Sequence, residues 1–404
     1  MVRRLLVSVF LAAFPVVVIP IAVTSTGAQA GAAPPTAVQQ CKNGGWQTLT
    51  DASGQPFNNQ GQCVSYFIHN PASGWSIQST PNASSGLNIL NKVSCATQQS
   101  CTAVGYDVPP NSDTFLALVE HWDGLTWQIQ PASSGGLTNV SCPTLSACVA
   151  VGSTGSIPLA KYWDGSTWQV QPVQIPAGAT TSYFEGVSCA TPTTCIAVGA
   201  YFTSTNTYFT LAEQWNGFTW QIAATPNPQG ATANQLNAVS CAAPNACTAV
   251  GFSEGVGLAE SWNGSIWQIQ PTAAGGGGVL QDVSCPLASA CTAVGGTFAE
   301  RWNGTDWQVQ TVPIPTPTTE LVAISCPTTL VCTAVGSSSA GQTYSTLAEF
   351  WNGSTWQIQT TPNAGGSSLL SGVSCVPSGE CTAVGYSFTS TGSVTLAERL
   401  APVN

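Results

Sequence analysis

Charge is the scarcest property of this 404-residue chain. It carries seven Lys and Arg, 17 Asp and Glu and two His, for a formal net charge of −10. Charged residues are 6% of the sequence, against about a quarter in an average globular protein. The cations are Arg3, Arg4, Lys42, Lys92, Lys161, Arg301 and Arg399. A nucleic-acid or anionic-membrane partner requires clustered Lys and Arg, and these are scattered, so both partners are excluded. His69 and His121 are too few for a His-rich metal site. The C-x-x-C spacing of a redox motif is missing, and nothing in the chain calls for a cofactor. Beyond Val23 no run is long and apolar enough to span a membrane.

What the chain does have begins with an export signal. Arg3 and Arg4 precede an apolar run from Leu5 to Val23, and Ala28-Gln29-Ala30 supplies a small-x-small cleavage site. This reads as a signal peptide over residues 1–30, with an uncleaved anchor as the rival reading. Pro15 and Pro20 interrupt the run and favour cleavage. A secreted, extracellular protein with no membrane insertion after cleavage is the expectation. An Ala/Pro linker follows over 31–40. Export makes disulfides the natural reading of 16 cysteines.

Fourteen of those cysteines form pairs at one spacing, C-x5-C: Cys95/Cys101, Cys142/Cys148, Cys189/Cys195, Cys241/Cys247, Cys285/Cys291, Cys326/Cys332 and Cys375/Cys381. Each pair lies within a longer unit, clearest from Leu236 to Gln270: L-x-x-V-S-C, five residues, C-T-A-V-G, a variable gap, then L-A-E-x-W-N-G-x-x-W-Q-I-Q. Repetition at this period with four short strand signals per unit means propeller blades. V-S-C and C-T-A-V-G are strands a and b of a hairpin, L-A-E-x-W is strand c, and W-Q-I-Q is strand d. The intervening Asn-Gly or Asp-Gly predicts a hairpin turn with positive φ at both residues. The two Trp of W-N-G-x-x-W then share a face and can stack. Cys41 and Cys63 remain to pair with each other in a small module over 41–73.

The ends of the array carry the closure. The seventh unit stops at Leu396-Ala397-Glu398-Arg399-Leu400 without a strand d, and an orphan Trp75-Ser76-Ile77-Gln78 stands before the first unit. One N-terminal strand therefore completes the last blade and hides two sheet edges. The expected fold is all-β, a seven-bladed β-propeller of four-stranded antiparallel blades over 74–404. The unit resembles the tandem repeats of secreted bacterial β-propeller proteins, mostly of undefined activity, across residues 74 to 400. The stretch from Gly45-Trp46 through Phe57 to Val64 resembles a small module at the front of assorted exported bacterial proteins. Neither resemblance implies a catalytic residue.

Repeated residues are weak candidates for chemistry. Glu120, Glu213, Glu260, Glu300, Glu349 and Glu398 stand two residues before the end of strand c, with Lys161 in the second unit. They read as acid/base or sugar-binding groups, or as buried acceptors facing the neighbouring blade. Catalysis needs carboxylates in unlike environments, which six copies of one environment do not provide. The paired Trp read as inter-blade packing, or as platforms for sugars in grooves between blades. His121 reads as a surface residue, and Asn263, Asn303 and Asn352 match glycosylation sequons that the turn already explains.

Loop length separates two faces. The a–b loops and c–d turns are uniform, whereas the d–a and b–c loops differ in every unit, and binding residues concentrate on variable loops over a rigid scaffold. Strand a lines the channel, which makes Asn91, Lys92, Asn139, Glu185, Asn237, Gln281 and Asp282 the ligand-site candidates. Glu185 and Asp282 are the weak catalytic candidates. The expected function is a binding or interaction module for an extracellular glycan or protein. A glycan-active hydrolase or lyase and a purely structural surface protein are the alternatives.

Overall fold

A computed structural model describes residues 58–62, 74–273, 278–364 and 366–400. The signal peptide, the linker, the Cys41–Cys63 pair and His69 lie outside the described residues. Of the front module only 58–62 is described, a single turn in which Gln62 N donates to Asn59 Oδ1 at 2.7 Å. The described residues between 74 and 400 are all-β. Among the described residues no helix is long and apolar enough to cross a membrane.

The second repeat shows the plan. Gly136–Thr144, Ala147–Thr154, Ile157–Trp163 and Trp168–Gln171 pair in that order as strands a to d, all antiparallel. Repeats 3 to 6 build the same four-stranded blade over residues 179–222, 234–270, 282–310 and 320–359. The orphan strand Trp75–Gln78 pairs antiparallel with Ser393–Leu400, aligning Trp75 with Leu400 and Ile77 with Glu398. It thus fills the strand-d place of the last repeat.

The expectation of seven separate blades is corrected at this point. There are five separate four-stranded blades and one eight-stranded sheet, in which the first repeat, the last repeat and Trp75–Gln78 are joined. The joint is a single parallel pair, Leu87↔Ser393. Ser393 N donates to Gly86 O at 3.2 Å, Asn88 N to Ser393 Oγ at 3.2 Å, and Ser393 Oγ to Asn88 O at 3.1 Å. A Cβ on Gly392 would collide with the Gly86 carbonyl oxygen, so glycine there lets the two backbones meet.

The core is a ring of shared layers. Each hydrophobic cluster draws on two neighbouring repeats, from Val104 and Val119 with Leu137 and Leu159, round to Val384 and Ala397 with Leu90 and Leu118. Apolar burial therefore lies between sheets, and no repeat has a core of its own. Polar bonds follow the same circle. The Ser of V-S-C accepts from the backbone N of the first Cys in the next repeat at 2.9–3.0 Å. Ser94 accepts from Cys142, and the series runs on until Ser374 accepts from Cys95.

The seven C-x5-C pairs are disulfides: Cys95–Cys101, Cys142–Cys148, Cys189–Cys195, Cys241–Cys247, Cys285–Cys291, Cys326–Cys332 and Cys375–Cys381. Their Cα separations are 3.9–4.1 Å. The two members of a bridge are not equivalent, which their spacing did not indicate. The second cysteine, on strand b, is sealed in the core: Cys101, Cys148, Cys195, Cys247, Cys291, Cys332 and Cys381 are 1–4% exposed. Strand b lies between strands a and c, and strand c sets a large side chain opposite each of these residues. That side chain is Trp122 for Cys101, Trp163 for Cys148, Trp215 for Cys195, Trp262 for Cys247, Trp302 for Cys291, Trp351 for Cys332 and Leu400 for Cys381. The first cysteine is less enclosed in every pair.

The two Trp of each W-N-G-x-x-W stand opposite one another, with ring centroids 5.5–5.8 Å apart. The turn between them differs from expectation: only its glycine takes positive φ, 93° to 98°. The preceding Asn or Asp instead accepts two backbone N–H groups through its side chain, as Asn263 Oδ1 does from Ser265 and Ile266, both at 3.0 Å. A four-residue loop leaves room for that side-chain turn.

Candidate functional site

Strand a lines the channel and carries a β-bulge in six repeats, at Asn91, Thr138, Glu185, Asn237, Val322 and Ser371. The bulge frees these residues from the ladder. Several then reach sideways: Asn91 Nδ2 donates to Leu137 O at 2.7 Å, Thr138 Oγ1 to Phe184 O at 2.9 Å and Asn237 Nδ2 to Leu280 O at 2.8 Å. Ser371 Oγ completes the pattern on Leu90 O at 2.5 Å. Asn91 and Asn237 are thus engaged in holding neighbouring strands. Asn139 and Gln281 make no side-chain hydrogen bond among the described residues.

The remaining candidates meet in the channel. Lys92 Nζ is 2.7 Å from Asp282 Oδ2, 190 residues away in sequence. Asp282 Oδ2 also accepts from Ile324 N at 3.1 Å, and its Oδ1 from Val283 N at 2.9 Å. Glu185 is half-buried. That burial raises its pKa to about 7, with the Lys92 ammonium pulling partly back. Lys92 thus pairs with one carboxylate, Asp282, and acts electrostatically on a second carboxyl, Glu185.

The cysteines take no part in this site. With both sulfurs of each pair bonded, and with Cys101, Cys148, Cys195, Cys247, Cys291, Cys332 and Cys381 closed off under strand c, they are cross-links out of a ligand's reach. The described residues contain no free cysteine. They also contain no group of three or more His, Cys, Asp or Glu placed to hold a metal.

The recurrent acids lie elsewhere, buried between repeats. Glu213 Oε2 accepts from Gln174 N at 3.1 Å and Glu300 Oε2 from Ala273 N at 3.3 Å, in each case from the loop leaving the preceding strand d. Lys161 occupies the same place with reversed polarity, its Nζ donating to Ser133 Oγ at 2.6 Å and Ala132 O at 3.4 Å. Burial raises Glu120, Glu260, Glu349 and Glu398 to about 8 and lowers Lys161 to about 8. Thr395 beside Glu120 and Thr346 beside Glu398 partly offset the effect. Nine of the twelve repeat Trp are buried and the other three half-buried. With nine of these rings buried and each paired across its turn, packing explains the motif. His121 is half-buried, with Nδ1 3.4 Å from Thr102 Oγ1.

Two features escaped the sequence reading. Thr80-Pro81-Asn82, Thr225-Pro226-Asn227 and Thr361-Pro362-Asn363 each clamp a strand-c Thr, with the Asn Oδ1 accepting from Thr395 N, Thr210 N and Thr346 N at 2.9–3.2 Å. The recurrence of T-P-N five residues after a strand-d Trp was the available signal. The second is a set of aromatic rings on the loop face, off the repeat positions. Tyr106 and Phe115 lie 5.1 Å apart, Tyr183 and Phe202 5.9 Å, Phe202 and Tyr208 3.7 Å, and Tyr386 and Phe388 5.3 Å.

No protein-family model and no curated protein matches the chain at the sequence level. Solved structures do match in fold. U3-55K has a TM-score of 0.55 at 9% identity, covering 81% of this chain and 98% of its own. YCF48 bound to D1 peptide has a TM-score of 0.53 at 14% identity, covering 81% and 95%. YCF48 from Cyanidioschyzon merolae has a TM-score of 0.53 at 13% identity, covering 82% and 99%. What this chain shares with them is the β-propeller fold.

Proposed function

We propose that the protein is an exported, disulfide-stapled binding module that holds an extracellular protein or glycan on its loop face, over the channel mouth. The observation that carries this reading is where the polar groups go. Asn91, Asn237, Lys92 and Asp282 are consumed in bonds between strands, whereas the loop face displays exposed rings on loops of unequal length. Exposed apolar area on such a rim is characteristic of interaction sites. One propeller of like fold, YCF48, is described as bound to a peptide, which is in keeping with a protein ligand. The test is a binding screen of the full chain against glycan and peptide arrays, repeated with Glu185→Gln. Retention unchanged by that substitution supports the module; loss of binding places the ligand in the channel instead.

A second reading, a glycan-active enzyme, is favoured by one specific observation. Glu185 titrates near 7 close to a Lys92–Asp282 pair, and a carboxyl poised near neutrality suits a general acid. Turnover on a polysaccharide panel that Glu185→Gln abolishes would establish it and sink the binder. A purely structural surface protein is what is left if neither assay responds.

A further inference from the structure

The loop face is uneven. Its largest cluster of exposed rings lies over the joint between the first and last repeats. Tyr344 and Phe388 are both tied to Ser367: Tyr344 N donates to Ser367 Oγ at 3.2 Å and Phe388 N to Ser367 O at 2.9 Å. Phe388 pairs with Ser393, Ser393 bridges to Leu87, and Leu87 pairs with Val108. Two residues from Val108 stands Tyr106, packed on Phe115. These pairings set Tyr344, Phe388, Leu87 and Phe115 in order as a strip across the joint, and all four are exposed, by 43%, 40%, 41% and 53%.

An exposed acid, Glu320, stands on the Tyr344 side of the strip. Tyr106, Tyr344 and Glu320 all lie within electrostatic reach of Tyr386. Burial first, then Tyr106, Tyr344 and Glu320, push the Tyr386 hydroxyl up to about 12. The four described cations all lie away from the strip. Lys92 is paired with Asp282 in the channel and Lys161 is wholly buried. Arg301 lies over the Trp351 ring and donates to Thr329 O, and Arg399 lies over Trp122 and donates to Gln98 O, both at the opposite, disulfide face.

We propose that this aromatic strip, with the acid Glu320 at one end, binds an extended segment of a partner protein carrying Lys or Arg among apolar residues. The proposal rests on the binding-module reading and names its site and ligand class. Rings attract cations across their faces, Glu320 adds negative charge beside them, and exposed aliphatic surface between the rings takes apolar side chains.

The test uses the full mature chain and two synthetic octapeptides that alternate Phe with Lys or Phe with Glu, plus a panel of neutral oligosaccharides. The Lys peptide should bind, and weaken as salt rises. Phe115→Ala and Tyr344→Ala should each weaken it roughly tenfold, and Glu320→Gln by about threefold. Val170→Ser and Ile222→Ser, exposed on outer strands of other repeats, should leave it unchanged. Equal binding of the Glu peptide, or indifference to the strip substitutions, overturns the site while the binding module stands. Oligosaccharide binding lost on Phe115→Ala, without peptide binding, overturns the peptide chemistry alone. Failure of every probe overturns both.

Discussion

Each repeat has a half nearest its disulfide and a half nearest the loop face, and the two obey different rules. In the disulfide half the geometry recurs almost without variation. Cα separations across the seven bridges stay within 3.9–4.1 Å, and the Trp pairs within 5.5–5.8 Å. In the loop half, strand b of the first repeat ends at Val108 and strand c begins at Leu116, while the second repeat crosses the same gap between Thr154 and Ile157. Bridge, paired rings and inter-repeat serine bonds suffice to hold the ring, so the loop half is free to differ.

The largest expected effect comes from opening that ring. Deleting residues 74–80 removes the last repeat's fourth strand and Trp75, a ring 6% exposed whose Nε1 donates to Gln359 Oε1 at 3.0 Å. Removing a buried Trp alone costs about 3–5 kcal/mol. Thermal unfolding should therefore occur well below that of the full chain. A deletion that melts no earlier would refute the closure.

Next is pH, which acts on the interfaces between repeats. Folding raises Glu120, Glu260, Glu349 and Glu398 to about 8 and Glu213 to about 7. Such an acid keeps its proton longer in the folded chain. Its contribution is intact below the unfolded value near 4.5 and is lost as pH rises through the folded value. Lys161, lowered to about 8, contributes above 10.5 and loses that contribution as pH falls through 8, so it adds no slope at lower pH. The melting temperature should fall steadily from about pH 5 to about pH 8, and a flat profile would remove the acids from the energetics of the interfaces.

Smaller effects sharpen the contrast. Replacing Cys326 and Cys332 together by Ala should cost about 2 kcal/mol in the chain-entropy account of so short a loop. Ser284→Ala should cost about 1 kcal/mol, the net value of one hydrogen bond, here to Cys326 N. Phe388→Ala on the loop face should change stability by less than about 0.5 kcal/mol. Chemical denaturation of the three variants gives the order, and a loop-face cost equal to the disulfide's would erase the distinction between the halves.

Strand pairing was legible because its signals are local. The C-x5-C spacing sets two cysteines opposite each other, and the W-N-G-x-x-W spacing does the same for two rings. The closing strand could also be read, because Trp75 lacked the partner that every other strand-d Trp has. The unequal burial within a bridge could not, since it depends on which strands flank Cys101 and its equivalents. The site was harder still. Asn91 and Asn237 looked like channel ligands, but their bonds to Leu137 O and Leu280 O depend on a neighbouring repeat's backbone. The V-S-C serine gave no hint of its acceptor role, since its donor lies 42–53 residues away in six repeats and 279 away for Ser374.

Residue order alone specified the repeat, the four strands of each unit, the disulfide pairing and the strand that closes the last repeat, because those depend on periodicity and on short loops. Three-dimensional folding was needed to merge the first and last repeats through Leu87 and Ser393 into one eight-stranded sheet. It was needed as well to bring Lys92 to Asp282 and to gather the aromatic rings over the joint. Asn88 and Ser393, bonded at that joint, stand 305 positions apart in the chain. Such proximity exists only once the ring has brought its two ends together.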